Sequence, residues 1–182
     1  MTSHSTEYLI VDGGIGGLTT AVALALARSG RPVRVLERAS AFTEIGAGLQ
    51  LAPNATHILD RLGVLKQITD AEVLSAWLAL ADAMTGEHLC SLDLGKHSQE
   101  RFGEPYVVLS RSDLLAILLK VCQDHGVALE TDRTVRLVDN RDHGATVFCA
   151  DGRLRRRAVI ACDGLRSTVR AQFSDDEAIC SG

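Results

Sequence analysis

Two glycines and one acidic residue near the amino terminus have the spacing of a dinucleotide-binding turn. Gly14 and Gly17 occupy the second and third glycine positions of the pattern G-x-G-x-x-G, and Glu37 follows Gly17 by 20 residues. Glycine lets the backbone come close to phosphates, and amides at the start of a helix bind anions. A carboxylate at Glu37 can accept hydrogen bonds from both hydroxyls of an adenosine ribose. The pattern predicts a nucleotide site; the alternative is a tight strand-to-helix connection without a ligand.

The first glycine position of the pattern is occupied by Asp12. A carboxylate about 4 Å from a phosphate, at an effective dielectric constant of about 20, is repelled by roughly 4 kcal/mol. That energy corresponds to roughly a thousandfold loss of affinity. The cost is smaller if the carboxylate points away or caps the helix through a backbone N–H. We predict that Asp12→Gly tightens nucleotide binding.

A βαβ unit must position these residues. The sequence predicts a strand over Tyr8–Val11, a helix over Leu18–Ser29 that ends at Gly30, and a second strand over Val33–Leu36. Strands joined through a helix run parallel. The fold class is therefore α/β, with a Rossmann-like domain built on a parallel sheet.

The later segments extend this pattern. A helix is predicted to begin at Pro53 and end at Gly63, and another to begin after the capping residue Ser110 and end at Gly126. The remaining apolar runs predict strands over 77–83, 88–94, 106–109, 127–130, 134–138, 146–150 and 158–162. The strands between 127 and 150 predict an antiparallel β-meander. Segments 44–50 and 95–104 are predicted to be loops, and 166–172 a helical turn.

Composition excludes several classes of protein. The 182 residues are 46% hydrophobic and 23% charged with a net charge of −4, which argues against general nucleic-acid or anionic-membrane binding. The longest apolar stretch, Ile15–Ala27, is too short to span a bilayer. The five cysteines contain no C-x-x-C pair and indicate reduced thiols in a cytoplasmic protein. The six histidines lack metal-ligand spacing, so we predict no metal site.

At this point the chain resembles the group A flavoprotein monooxygenases, the FAD-dependent aromatic hydroxylases related to salicylate hydroxylase and 3-hydroxybenzoate 6-hydroxylase. The resemblance covers nearly the whole chain. It is carried by the segments Gly13–Leu18, Leu36–Ala39, Gly46–Asn54, Pro105–Leu114 and Ala161–Ser167. Within the family, Asp93–Gly95 and Pro105–Tyr106 favour the 3-hydroxybenzoate 6-hydroxylase type.

The resemblance implies a set of FAD-binding residues. It assigns the FAD pyrophosphate to the turn, the ribose and adenine to the end of the second strand, and the flavin to later segments. The residues concerned are Gly14, Ile15, Gly16 and Gly17 for the pyrophosphate, Glu37 for the ribose, Arg38 and the backbone around Thr134 for the adenine, Gly48 and Gln50 for the segment near the flavin ring, Arg111 for the flavin's phosphate or ribityl side, and Asp163 with Gly164 for the pyrophosphate and ribityl chain. Arg111 could instead be a surface cation, and Asp163-Gly164 an ordinary turn.

The resemblance also implies a reaction. NADH or NADPH reduces the FAD, and the reduced flavin activates O₂ and transfers one oxygen atom to a small aromatic substrate of the hydroxybenzoate type. No residue present is a convincing substrate base, so no catalytic residue is named.

In the family pattern, residues 1–182 form one incomplete FAD-binding domain, and 71–105 contribute the start of the substrate-side region. Most of the substrate-domain sheet is expected to be missing, which would expose apolar surface and promote self-association. Two alternatives remain open. The chain could be a truncated, catalytically inactive flavin- or nucleotide-binding fragment. It could also be a NAD-dependent dehydrogenase module, which would leave the Asp163 motif unexplained.

Overall fold

The computed structural model describes residues 8–27, 31–43, 48–71, 73–74, 76–142, 144–150, 152–156 and 158–174. The predicted end of the first helix at Gly30 and the segment 44–47 lie outside these residues. The chain divides into two compact units, one formed by 1–44 with 118–182 and the other by 45–117.

The helices and strands alternate along the chain. The strands are β1 (Tyr8–Val11), β2 (Val33–Leu36), β3 (Gly48–Leu51), β4 (Val73–Leu74), β5 (Trp77–Ala81), β6 (His88–Asp93), β7 (Val107–Ser110), β8 (Ala128–Glu130), β9 (Val135–Arg141), β10 (Gly144–Cys149), β11 (Gly152–Arg156) and β12 (Ala158–Ala161). The helices are α1 (Ile15–Leu26), α2 (Pro53–Arg61), α3 (Leu65–Ala71), α4 (Lys96–Phe102) and α5 (Arg111–Asp124), followed by a 3₁₀ helix over Arg170–Gln172.

The first unit contains a parallel sheet with the strand order β12-β1-β2-β8. Leu9 and Ile10 of the central strand β1 have no exposed surface, as expected for a strand covered on both faces. Because the carboxyl ends of parallel strands meet at one edge, the residues that follow β1, β2 and β12 are neighbours there. The predicted βαβ unit and parallel sheet are confirmed.

Helix α1 begins three residues earlier than the sequence pattern predicts. Only Asp12, Gly13 and Gly14 separate β1 from Ile15, so Gly16 and Gly17 belong to the first turn of the helix. A Cβ on Gly17 would lie 1.9 Å from the carbonyl oxygen of Asp12. The absence of that atom is what allows the helix to start so close to the strand.

An antiparallel β-meander is present as predicted, but its strands are not those predicted between 127 and 150, because the strand predicted over 127–130 is β8, which pairs parallel with β2. Strands β9, β10 and β11 are antiparallel neighbours in that order. Val138 and Val147, from the meander, pack in one buried cluster with Leu9 and Leu36 from the parallel sheet. The third strand of the meander, β11, is formed by Gly152–Arg156.

The second unit contains the antiparallel sheet β3-β7-β4 and the antiparallel pair β5-β6. Helix α2 begins with Pro53, and the chain leaves it through Gly63 at φ 71°, as predicted. At the start of α5, Ser110 Oγ accepts a hydrogen bond from the Ser112 backbone N–H at 3.2 Å, which confirms the predicted cap.

Two loop predictions in this unit are wrong. Residues 48–51, which overlap the predicted loop 44–50, form β3 because their backbone groups pair with β7. Residues 96–102, within the predicted loop 95–104, form α4, which ends at Gly103 with φ 87°. Helix α4 consists mainly of polar residues, which is why its sequence resembles that of a loop. It buries Ser98, and Lys96 forms an ion pair with Glu100 at 3.6 Å.

Candidate functional site

A cleft opens at the carboxyl edge of the parallel sheet. It has a volume of about 90 Å³ and is lined by the ends of β1 and β2, the segment before β9 and the loop after β12. The lining residues are Val11, Asp12, Leu36, Arg38, Arg133, Thr134, Val135, Asp163, Arg166 and Thr168. Three of the predicted site residues, Arg38, Thr134 and Asp163, therefore face one space.

Glu37 lies at the end of β2 and is only 8% exposed. Its Oε2 accepts a hydrogen bond from the Gly13 backbone N–H at 2.8 Å, and its Oε1 accepts one from the Ala39 N–H at 2.8 Å. These bonds connect the turn after β1 to the end of β2. Each carboxylate oxygen keeps a further lone pair, so the group can still accept a hydrogen bond from a sugar hydroxyl.

Asp12 adopts the left-handed backbone conformation that the first glycine of the pattern normally supplies, with φ 88°. Its Oδ2 accepts a hydrogen bond from the Gly14 backbone N–H at 3.1 Å. Burial raises the pKa of the Asp12 carboxyl, and the charges of Glu37 and Asp163 add to that rise, whereas the Gly14 bond and Arg38 oppose it.

The glycines of the turn differ in their surroundings. A Cβ on Gly13 would lie 2.4 Å from Cε1 of Phe42, whereas a Cβ on Gly16 would meet no atom within 4 Å. Gly14 precedes α1 in an extended conformation, and the half-buried Ile15 is the first helical residue. The backbone at Gly16 is thus accessible at the positive end of the α1 dipole, the environment that binds phosphate groups.

Asp163 organises the loop that follows β12. Its carboxylate accepts hydrogen bonds from the Ser167 hydroxyl at 2.5 Å and from the backbone N–H groups of Thr168 and Val169 at 2.8 and 3.2 Å. Burial alone would raise the pKa of Asp163, but these hydrogen bonds outweigh it and lower the pKa. Gly164 follows with φ 73°, so the chain makes a tight turn here. The ionised carboxylate fixes the loop at the edge of the cleft.

The other predicted site residues lie in the second unit. Gly48 and Gln50 are on β3, in register with Ser110 and Val108 of β7. Gln50 Oε1 accepts a hydrogen bond from the Tyr106 hydroxyl at 2.7 Å. Arg111 directly follows β7, at the end of the strand that pairs with Gly48. The structure therefore brings the predicted residues together in two groups, one in each unit.

Two arginines that line the cleft were not predicted to be site residues. Arg133 and Arg166 line the cleft beside Arg38, although the pattern gave neither a binding role. Arg133 Nε also donates to Glu130 Oε2 at 2.8 Å. Gly13, at a variable position of the glycine pattern, contacts both Glu37 and Phe42. A possible signal for Arg133 was its position directly before Thr134.

Within the described ranges, no group of three or more His, Cys, Asp or Glu residues could hold a metal ion. Among the helices described, none is long and apolar enough to cross a bilayer.

Comparison with protein families finds a match over residues 5–177 to a family described as an FAD binding domain. The cofactor of this family is FAD. Among curated proteins, 3-hydroxybenzoate 6-hydroxylase of Polaromonas naphthalenivorans (strain CJ2) is 39% identical over 178 residues, which are 96% of this chain and 44% of that protein. The 3-amino-4-hydroxybenzoate 2-monooxygenase PtnB3 of Streptomyces platensis is 32% identical over 100% of this chain and 45% of its own length.

Solved structures of monooxygenases are also similar to this chain. Among them is p-nitrophenol 4-monooxygenase PnpA from Pseudomonas putida DLL-E4, with a TM-score of 0.81 and 26% identity over 92% of this chain and 43% of that one. Klebsiella pneumoniae R204Q HpxO complexed with FAD gives a TM-score of 0.78 and 27% identity over 92% of this chain and 42% of its own. The chain spans less than half the length of these relatives.

Proposed function

This chain belongs to the FAD-binding domain family of the flavoprotein monooxygenases, and from that membership we propose that it binds FAD as part of an aromatic hydroxylase. The residues that would hold its pyrophosphate and its adenosine ribose lie at the carboxyl edge of the parallel sheet. The backbone of Gly14–Gly17 would hold the pyrophosphate, and Glu37 would hold the adenosine ribose.

The single observation that carries the proposal is the accessible glycine turn beside a cleft lined with arginines. Gly16 leaves open space next to the first turn of α1. Arg38, Arg133 and Arg166 line the adjoining cleft. A guanidinium binds phosphate oxygens through a planar pair of N–H donors, so this charge suits a dinucleotide. The residues present fit FAD, except that one amide of the turn, that of Gly14, is bonded to Asp12.

The remaining site residues receive roles by the same proposal. Arg38 and the backbone at Thr134 flank the adenine, and Asp163 with Gly164 lies beside the pyrophosphate and ribityl chain. Gly48, Gln50 and Arg111 would serve the flavin side of the cofactor. Within the second unit, the pairing of β3 with β7 supports a shared role for these three residues, because it holds Gly48 beside Ser110.

The substrate of the hydroxylase is proposed to be a small hydroxybenzoate. Two relatives that match nearly the whole chain are named for activity on 3-hydroxybenzoate and on 3-amino-4-hydroxybenzoate. FAD, once reduced by NADH or NADPH, supplies the oxygen-transfer chemistry. This chain's residues supply cofactor binding and orientation, the protein's share in flavin catalysis.

A second candidate is a nucleotide-binding fragment without hydroxylase activity. The observation that favours it is the Asp12 carboxylate at the glycine turn, because its negative charge weakens the hold on a pyrophosphate. The two candidates differ in one measurement. Oxidation of NADH by the FAD-loaded chain that accelerates on addition of 3-hydroxybenzoate supports the hydroxylase, and no acceleration supports the fragment.

The FAD site itself is tested by placing a large side chain at Gly16, in the space beside the first turn of α1. We expect the full chain to bind FAD with saturation, measured by quenching of flavin fluorescence, and Gly16→Leu to weaken binding by about tenfold or more. The leucine occupies the space that the pyrophosphate needs, yet its Cβ meets no protein atom within 4 Å. The urea midpoint of the variant controls for folding. Equal FAD affinity in both proteins, or binding of NADH but not FAD, would contradict the proposal.

A further inference from the structure

The amide of Gly14 already has an anionic partner from its own chain. The Gly14 N–H precedes the first turn of α1 and donates to Asp12 Oδ2 at 3.1 Å. Amides at this position, reinforced by the helix dipole, are the donors that bind phosphate oxygens. A phosphate approaching the turn therefore meets a carboxylate that holds one of the donors.

The surroundings of Asp12 carry charge of both signs. Glu37 and Arg38 face it from the end of β2, and Asp163 faces it from the end of β12. Cys162, beside Asp163, is close enough for the Asp12 charge to contribute to the raised pKa of its thiol, which burial raises most. Arg133 and Arg166 line the same cleft.

Burial is the main reason that the pKa of Asp12 is raised, and it outweighs the opposing effects of the Gly14 hydrogen bond and Arg38. Burial and the two carboxylates raise the pKa of Asp12. A bound pyrophosphate adds further negative charge nearby, which raises that pKa again. A group whose pKa is higher in the complex than in the free protein takes up a proton on binding, so binding is tighter at lower pH.

We propose that Asp12 makes FAD binding proton-linked: its carboxylate competes with the cofactor's pyrophosphate for the Gly14 amide, and FAD binds with uptake of a proton by Asp12. This inference rests on the proposed FAD site and adds a residue that sets its affinity. Affinity falls as pH rises above the pKa of Asp12 in the free chain. The fall continues until the pKa of Asp12 in the complex is reached.

Two substitutions separate the charge of Asp12 from its backbone role. Asn and Gly both tolerate the left-handed conformation that position 12 adopts at φ 88°. Asp12→Asn keeps an oxygen that can accept from the Gly14 N–H and removes the charge. Asp12→Gly removes both the charge and the acceptor, and it restores the glycine of the pattern.

The test is a series of FAD titrations of the full chain and both variants from about pH 4, near the ordinary pKa of an aspartate, to about pH 8. The wild-type dissociation constant is expected to rise with pH, by at most about tenfold per unit for one linked proton. Both variants are expected to bind more tightly than the wild type at the alkaline end and to show a flatter pH profile. Calorimetry in two buffers of different ionisation enthalpy should show net proton uptake by the wild type and less by Asp12→Asn.

The outcomes distinguish a failure of the proton linkage at Asp12 from a failure of the proposed FAD site. Parallel pH profiles for all three proteins, or equal affinities of wild type and Asp12→Asn at the alkaline end, would overturn the role of Asp12 and leave the FAD site standing. Absence of FAD binding in all three proteins at every pH would overturn both. Urea midpoints of the three proteins without FAD identify any variant whose fold has been lost.

Discussion

At residue scale, two neighbouring glycines in the first turn of α1 are there for different reasons. A Cβ on Gly17 would lie 1.9 Å from the backbone oxygen of Asp12, and backbone cannot move aside as a side chain can. A Cβ on Gly16 would meet nothing within 4 Å. The packing of strand against helix therefore requires glycine at 17. At 16 no described protein atom requires it, and the proposed pyrophosphate site is the reason we infer for the glycine there.

We predict that Gly17→Ala destabilises the chain by about 1–3 kcal/mol or more, because the added methyl group forces α1 away from β1. Gly16→Ala, the matched control, is expected to leave the free energy of unfolding unchanged or to raise it by up to about 1 kcal/mol, since alanine favours a helix. Urea unfolding without FAD measures both. Equal stabilities for the two variants would contradict the close approach of Asp12 and Gly17.

The residues of the cleft show how far spacing alone can predict a site. Glu37 was predictable because the glycine pattern fixes its distance along the chain from Gly17. Arg133 was not, because its place in the cleft depends on where the β9 meander lies against the parallel sheet. The sequence allowed the Asp12 carboxylate either to point away from the turn or to cap the helix through a backbone N–H. The structure shows it bonded to a backbone N–H, that of Gly14, directly before α1.

At the scale of elements, a buried threonine connects α2 to the segment before β7. Thr56 has no exposed surface, and its Oγ1 donates to the carbonyl oxygen of Pro105 at 2.9 Å. We predict that Thr56→Val lowers the free energy of unfolding by about 1–3 kcal/mol, because the Pro105 carbonyl loses its buried partner while the volume stays the same.

The control for this bond is Thr56→Ser, which keeps the hydroxyl and removes only a methyl group. It should lie closer to the wild type than Thr56→Val does when both are measured by urea unfolding. A valine variant as stable as the wild type would mean that the hydrogen bond contributes nothing measurable.

Elements marked by their own apolar residues were predictable, and elements defined by their partners were not. Helix α5 and strand β10 were predictable from their apolar residues, which lie between a capping serine and Gly126 for α5 and form an apolar run for β10. Strand β3 is recognisable only through its register with β7, a pairing of residues about 60 positions apart. Helix α4 is short and largely polar, so its composition resembles that of a loop.

At the scale of the molecule, the hairpin β5-β6 presents unusual apolar surface. Leu80 is 54% exposed and lies opposite Cys90, and Leu78 lies opposite the exposed Leu92. Contiguous apolar patches on a two-stranded sheet promote association between molecules. We predict that the chain self-associates in solution and that Leu80→Lys reduces the association, because a lysine on the strand opposes pairing.

Light scattering coupled to size-exclusion chromatography at several concentrations measures the effect. Leu137→Lys is the matched control, since Leu137 is 47% exposed on β9, in a different sheet. It should leave the mass distribution unchanged. A wild-type chain that stays monomeric at every concentration, or equal effects of the two lysines, would contradict a role for this hairpin.

The pairing of β1 with both β2 and β12 has a consequence for synthesis on the ribosome. Ala161 follows Val11 by 150 residues, yet the two are register partners. At translation speeds of about 5–20 residues per second, β12 emerges roughly 8–30 s after β1. During that interval one side of β1 has no strand to accept its backbone hydrogen bonds. The nascent chain thus carries an unpaired apolar strand edge until β12 emerges, and the cleft at the carboxyl edge of the sheet is completed only after the Asp163 loop has been made.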